Sequence, residues 1–84
     1  MADITFAVQD PSGLPIVAAW LSASWPEPWQ GLTDGDGICR VQLAPAHYDV
    51  TISHPAWMMR YLPVEIWGDV VITMTLDAIH SGQG

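Results

Sequence analysis

Lysine and asparagine are absent from this sequence of 84 residues, cysteine occurs once, at Cys39, and the only fixed cations are Arg40 and Arg60. A single cysteine excludes an internal disulfide bond, and the lack of lysine excludes a Schiff base. Nucleic-acid binding requires clustered lysine and arginine that displace counterions, so a formal net charge of −7 argues against a nucleic-acid partner. The lack of asparagine excludes an acceptor for an N-linked glycan.

Charged residues of either sign are scarce as well: they make up 13% of the chain, whereas a typical soluble domain has about 25%. A chain of this length forms one domain with a thin core, and so few charges cannot coat its whole surface. We therefore expect other protein chains to cover part of it. The longest uncharged run, residues 11–26, is shorter than the roughly 18 apolar residues of a membrane span, so we expect no such span.

Apolar residues alternate with other residues along several segments, which is the period-two pattern of half-buried strands. The clearest example follows a tight turn at residues 33–37, where two successive strands carry apolar side chains at alternate positions: Cys39, Val41 and Leu43, then Tyr48, Val50 and Ile52. The same pattern predicts strands at residues 3–9, 16–24, 61–67 and 70–76. Pro63 favours an edge position for its strand. Residues 25–31, which contain two prolines, and residues 54–57 are predicted to be loops.

Six or seven short strands at roughly ten-residue spacings, with no helical period, predict an all-β domain. The expected architecture is a single Greek-key β-sandwich of the immunoglobulin-like (Ig-like) type. The predicted domain covers residues 1–78, and the composition of residues 79–84 predicts a flexible C-terminal tail. No basic segment opens the chain, so we expect no signal peptide and synthesis in the cytosol.

Three turn motifs follow one another along residues 4–76: Val8-Gln9-Asp10-Pro11-Ser12-Gly13-Leu14-Pro15-Ile16-Val17-Ala18-Ala19, Thr33-Asp34-Gly35-Asp36-Gly37 and Leu43-Ala44-Pro45-Ala46-His47-Tyr48. In this order they resemble the carboxypeptidase regulatory-like domains, which are transthyretin-like (prealbumin-like) β-sandwiches. The resemblance implies a spacer, an adhesin stalk or a virion accessory protein. Ala46 stands where the family usually has glycine. The Lys–Asn isopeptide bond of some relatives cannot form here, and the Tyr-Arg-Gly-Ser ending of hydroxyisourate hydrolase, an enzyme with this fold, is absent.

No pattern of residues predicts catalysis. The sequence has no Ser–His–acid, paired-carboxylate or glycine-rich phosphate arrangement, so we expect that the protein is not an enzyme. Cys39 shares its parity with Val41 and Leu43, which predicts a buried and unreactive thiol.

Metal binding has weak support in the sequence. His47, His54 and His80 lack the spacing that metal sites favour. Asp34 and Asp36 resemble the start of a calcium loop, but the closing glutamate and the remaining oxygen ligands are missing. They stay a weak calcium site, and we expect no cofactor.

Tryptophan is the one residue type in surplus, with five copies. Trp25, Trp29 and Trp57 fall in predicted loops, whereas Trp20 and Trp67 occupy outward positions of predicted strands. Two interpretations stay open: several rings cover the ends of a thin sandwich, or the rings form a contact surface, for which tryptophan is well suited. We predict all five as residues that contact a partner or ligand.

Together these features favour a non-enzymatic structural protein that docks on subunits of a larger assembly, or on copies of itself, through tryptophan-rich loops and uncharged strand faces. By family analogy, the most specific expectation is a virion-associated protein such as a bacteriophage capsid decoration, tail or baseplate subunit. Its location would then be the virion, and otherwise the cytoplasm. One alternative is a carbohydrate-binding module in which Trp25, Trp29 and Trp57 stack on a glycan; another is an intracellular spacer domain that binds partners.

Overall fold

Seven strands, in which buried and exposed side chains largely alternate, make up most of the described part of the chain, residues 1–79 of a computed structural model. Their bounds are β1 Ala2–Gln9, β2 Trp20–Ala23, β3 Trp29–Leu32, β4 Ile38–Leu43, β5 Ala46–His54, β6 Trp57–Ile66 and β7 Val70–Thr75. They form a three-stranded sheet of order β4-β1-β7 and a four-stranded sheet of order β3-β2-β5-β6. The predicted all-β sandwich of six to seven strands is confirmed. Of the predicted tail, residues 79–84, only Ile79 is described.

The chain passes repeatedly between the two sheets, as the Greek-key prediction requires. Of the six connections between these seven strands, four cross from one sheet to the other. β1 pairs antiparallel with β4 and parallel with β7, while every pair in the four-stranded sheet is antiparallel. β6 lies at a sheet edge, as Pro63 predicts. No helix within residues 1–79 is long and apolar enough to span a membrane.

The core lies between the sheets and is filled by the inward positions of both. On β1, the predicted inward residues Ile4, Phe6 and Val8 are at most 2% exposed. Tyr48 is fully buried beside the short link between β4 and β5, and its hydroxyl donates a 2.8 Å hydrogen bond to the carbonyl oxygen of Ala44. This side chain therefore fixes the corner at which the chain changes sheets.

The second strand is shorter than the alternation predicts, since β2 covers only Trp20–Ala23 of the predicted residues 16–24. Ala18 has a φ of 61°, which is in the left-handed region and interrupts an extended strand. The buried hydroxyl of Thr33 holds this segment instead: it donates to the carbonyl of Ile16 at 2.6 Å and accepts from a backbone N–H just before β2 at 2.9 Å.

Two predicted loops are wrong in part, because strands begin inside them. The predicted loop at residues 25–31 ends where β3 starts at Trp29 and pairs with β2. The predicted loop at residues 54–57 is only a two-residue turn, since β5 runs through His54 and β6 already starts at Trp57. β5 and β6 therefore form one long hairpin at the side of the four-stranded sheet.

Candidate binding surface

The outward side of the four-stranded sheet is an exposed surface whose layout is fixed by the strand register. We call it the outer face, and it comprises Trp20, Ser22, Gln30, Leu32, His47, Asp49, Thr51, Ser53, Tyr61, Pro63 and Glu65. Trp20 lies between Leu32 on β3 and Ser53 on β5, and directly paired residues project to the same side of a sheet. Trp20 and Leu32 are 48% and 59% exposed, so this row offers apolar area to a partner.

The next row of the outer face is polar and forms the floor of a groove. Ser22 lies between Gln30 and Thr51, and Thr51 lies opposite Tyr61 on β6. Ser22 and Thr51 are short and half-buried, whereas Tyr61 is exposed at the rim. The groove has a volume of about 610 Å³. Hydroxyl groups, the Gln30 amide, the Asp49 carboxylate and the rings of Trp29 and Tyr61 line it, so it suits a ligand that forms hydrogen bonds and stacks.

The charges on the outer face are carboxylates. His47 stands between Asp49 on its own strand and Glu65 on β6, with its ring nitrogens 3.0 Å and 3.1 Å from their oxygens. Hydrogen bonds to Asp49, and then to Glu65, raise the pKa of His47. Arg40 belongs to the other sheet, and Arg60 donates to a backbone carbonyl of β7. Within residues 1–79, the outer face therefore carries no fixed cation.

Three of the five predicted contact tryptophans, Trp20, Trp25 and Trp67, are exposed, but they do not form one patch. Trp67 follows the last residue of β6, which pairs with Ala46 at the start of β5. Trp20 pairs with Ser53, near the end of β5. At about 3.4 Å per residue, these positions lie roughly 24 Å apart along the strand. Trp20 is therefore the tryptophan that belongs to the outer face.

The other two tryptophans, Trp29 and Trp57, are half-buried and pack against the core. The Trp29 ring stacks on Phe6 of the facing sheet, with ring centroids 5.5 Å apart. This placement fits the interpretation that some rings cover the sandwich. Both residues lie on strands rather than in the predicted loops, and their contact with a partner or ligand stays a prediction. Trp29 also lines the groove of the outer face, whereas Trp25 and Trp57 do not, so the three rings do not share that groove.

Asp34 and Asp36, the weak calcium site, lie in the turn between β3 and β4. One Asp34 carboxylate oxygen accepts hydrogen bonds from the backbone N–H groups of Asp36 and Ile38, at 2.9 Å and 3.0 Å. These bonds, led by the one from Ile38, lower the pKa of Asp34. This carboxylate therefore shapes the turn, and calcium binding stays a prediction. No group of three or more His, Cys, Asp or Glu side chains within residues 1–79 is placed to hold a metal ion; His80 lies outside that range.

Cys39 is a buried core residue, as the parity of its strand predicts. Burial raises the pKa of its thiol, and the negative charge of Asp34 adds to the effect. A protonated, buried thiol acts as a small apolar group. Its Sγ also lies close to β3, since a Cβ added at Gly31 would be 2.7 Å away from it.

The sequence reasoning missed two exposed apolar residues of the outer face, Leu32 and Tyr61. A signal for Tyr61 was present, because it has the opposite parity to the inward positions Leu62 and Val64. Leu32 carried no such signal, since β3 is too short for alternation and was predicted to be mostly loop. The cross-strand neighbours of His47 were also beyond reach, because they depend on the β5–β6 register.

The sequence matches no protein-family model and no curated protein, so the carboxypeptidase regulatory-like assignment stays a prediction. Among solved structures, the chain is similar to the Bacillus anthracis TIE protein, with 12% identity, a TM-score of 0.73 and coverage of 93% of this chain and 16% of that one. It is also similar to a chain of a type II cohesin–X-dockerin complex from Acetivibrio cellulolyticus, with 16% identity, a TM-score of 0.72 and coverage of 93% and 58%. The chain spans less than two thirds of either, and such low identity shows the β-sandwich fold alone.

Proposed function

We propose that the protein is a non-enzymatic docking module that binds other protein subunits through its outer face. The observation that carries this proposal is the exposure of Trp20 and Leu32 in one row of the outer face and of Tyr61 beside the adjoining groove, on a face without a fixed cation in the described chain. Tryptophan and tyrosine bury large areas at a low entropy cost and are enriched in binding hot spots. Burying apolar surface contributes about 25 cal/mol per Å², so a partner that covers these rings gains affinity.

The finer proposal is that this assembly is a virion, with the protein as a bacteriophage capsid decoration, tail or baseplate subunit made in the host cytoplasm. Its support is the resemblance to sandwich domains that occur as virion accessories, together with a charge content of 13%. One structurally similar chain also comes from a protein–protein complex. An intracellular spacer domain would use the same outer face with a different partner.

Incorporation into particles tests the proposal. The tagged chain is expressed with its neighbouring structural genes, and particles are isolated by sedimentation. We expect the wild-type chain to sediment with the particles and Trp20→Ser to lose at least about tenfold in occupancy, as for a hot-spot residue. Trp67→Ser is the matched control, because Trp67 is also exposed and lies roughly 24 Å from Trp20 along the strand. If the wild-type chain stays out of the particles, the virion proposal is wrong. If Trp20→Ser reaches full occupancy, the outer face is not the docking surface.

The groove favours a second candidate, carbohydrate binding. Its lining of hydroxyl groups, the Gln30 amide, the Asp49 carboxylate and the Tyr61 ring is suited to sugar hydroxyls and sugar faces. Of the three rings that the sequence prediction assigned to a glycan, only Trp29 lines the groove, together with Tyr61. Titration with neutral oligosaccharides should quench tryptophan fluorescence, and Tyr61→Ala should abolish the change; an unaltered signal in the wild type excludes this candidate.

A further inference from the structure

The free edge of β7 is a second surface, and it belongs to the three-stranded sheet. Among the described residues, β7 pairs only with β1. The backbone groups of successive strand residues point to opposite sides. Leu76 directs its N–H to the carbonyl of Gln9 on β1, whereas the carbonyl of Thr75 accepts from Arg60 on β6. Odd-numbered residues of β7 therefore direct their backbone groups away from β1.

This alternation leaves the N–H and C=O groups of Val71 and Thr73 along an open edge. Within residues 1–79, neither residue forms a backbone hydrogen bond to an element other than β1. Both side chains are exposed, and Val71 is 67% exposed although it is apolar. Such a row of free donors and acceptors is a template for another strand.

The other three sheet edges have features that prevent such pairing. β6 contains Pro63, and its first residues are covered by the chain after β7, where the N–H of Met58 donates to the carbonyl of Asp77. β3 has only four residues and lies against β4 at a corner of the sandwich, and β4 carries Arg40. β7 is less protected, because Val70–Thr75 contains no proline, glycine or charge, and the Arg60 side chain reaches only its last carbonyl, that of Thr75.

We propose that β7 pairs antiparallel with β7 of a second copy of this chain, which joins two three-stranded sheets into one of six strands. Pairing Val71 with Thr73 of the second copy satisfies the open backbone groups of both. The same register places Asp69 of each copy beside Thr75 of the other, whose carbonyl accepts from the Arg60 guanidinium. One oxygen of the exposed Asp69 carboxylate accepts a 2.8 Å hydrogen bond from the Asp3 N–H of its own chain, which fixes this negative charge at the start of β7. The two ends of the pair therefore have complementary charge, and the two-fold symmetry repeats this contact.

This dimer is distinct from the docking proposed for the outer face, because it uses backbone groups of the other sheet. Its area is small, since one strand edge contacts another, so we expect a weak dimer whose population depends on concentration. Repulsion between two chains, each of net charge −7, weakens the dimer further, and salt screens this repulsion. Added salt should therefore strengthen the dimer until the contact between Asp69 and Arg60 is screened as well.

Molar mass measured by light scattering over a range of concentrations tests the dimer. We expect the wild-type mass to rise towards that of a dimer. Thr73→Pro removes an edge N–H that bonds no neighbour, and proline is tolerated at such positions; it should raise the dissociation constant at least about tenfold. Val71→Lys should have a similar effect through a charge on the edge. Thr5→Lys is the matched control, because Thr5 is the register neighbour of Val71 on the central strand β1.

Amide hydrogen exchange provides the second readout. The amides of Val71 and Thr73 should gain protection as the concentration of the wild type rises, and Thr5→Lys should behave in the same way. A chain that stays monomeric at every concentration, or a dimer that persists in both Thr73→Pro and Val71→Lys, overturns the proposal. A dimer lost in Trp20→Ser but kept in Thr73→Pro assigns self-association to the outer face and equally overturns it. Protection that appears only when a different protein is added identifies a foreign strand as the occupant, which also refutes the dimer.

Discussion

Replacing Gly31 with alanine should destabilise the protein, and should do so only while Cys39 keeps its sulfur atom. Gly31 pairs with the inward residue Leu21, so a side chain at this position points into the core. A Cβ there would lie 2.7 Å from the Cys39 Sγ, and no other atom beyond its chain neighbours lies within 4 Å in the described structure. The conflict is therefore confined to one pair of residues on β3 and β4.

The magnitude follows from two opposing terms. Alanine is better than glycine in a strand by about 0.5–1 kcal/mol, because glycine loses more backbone freedom on folding. Overpacking a core typically costs about 1–3 kcal/mol. Gly31→Ala should therefore lower the free energy of unfolding by roughly 0.5–2 kcal/mol in the wild type, and raise it by up to about 1 kcal/mol in a Cys39→Ala background. The sign of the effect reverses between the two backgrounds.

Urea unfolding of the four proteins of this double-mutant cycle, followed by tryptophan fluorescence, gives the coupling energy directly. Gly35→Ala is the control, because a Cβ at Gly35 meets no atom within 4 Å; it should change stability little in either background. An equal loss from Gly31→Ala in both backgrounds would refute the reasoning, since β3 itself would then reject a side chain. A Cys39→Ala protein that folds but loses its binding activity would refute the interpretation of Cys39 as a packing residue.

Three further predictions concern the turns and the charge cluster. Tyr48→Phe keeps the ring but loses the hydrogen bond to Ala44, so the free energy of unfolding in urea should fall by about 1 kcal/mol; an unchanged value would show that this corner does not need the bond. Gly37→Ala should cost more than about 2 kcal/mol, since Gly37 has a φ of 73° and a Cβ there would lie 2.6 Å from a β1 carbonyl oxygen; a fully folded protein of wild-type stability would contradict this. The pKa of His47 is raised in the folded state by Asp49 and Glu65, so its stabilising contribution is complete below its ordinary value of about 6.5 and is lost as the pH rises through the folded value. His47→Gln should remove this part of the dependence of Tm on pH, and superimposable profiles would show that the contact is absent in solution.

The fold could be predicted from the sequence wherever alternation extends over enough residues to define a face. Phe6 on β1 and Val50 on β5 lie in runs of this kind, and both are buried as predicted. β3 escaped prediction because it has only four residues and Gly31 places no apolar side chain at an inward position. Its location is decided by a non-local contact, the stack of Trp29 on Phe6, which no local pattern reveals. The late start of β2 also has a non-local cause. The hydroxyl of Thr33, which follows β3, forms hydrogen bonds to the backbone on both sides of Ala18 and holds this segment out of the strand.

The binding surface could be predicted only in part, for a related reason. The parity of Trp20 identified an exposed ring, but its neighbours are set by register. Leu32 lies beside Trp20 because β2 and β3 pair, and Glu65 lies beside His47 because β5 and β6 pair. Sequence reasoning assigns a residue to a side of its own strand; it does not say which residue of another strand lies next to it.

In the two proposals, the outer face and the edge of β7 recognise partners by different means, and this difference makes them complementary. The outer face presents side chains and therefore selects a partner by chemistry, whereas the β7 edge presents backbone groups, which any strand of suitable shape and charge can satisfy. An edge with so little selectivity exposes the chain to indiscriminate pairing unless one partner occupies it. A dimer through β7 removes that exposure and carries two outer faces. Two linked contacts that engage together raise the overall avidity by about 10²–10⁴ over either alone, so a small apolar face on each copy suffices for stable attachment to an assembly with repeated binding sites.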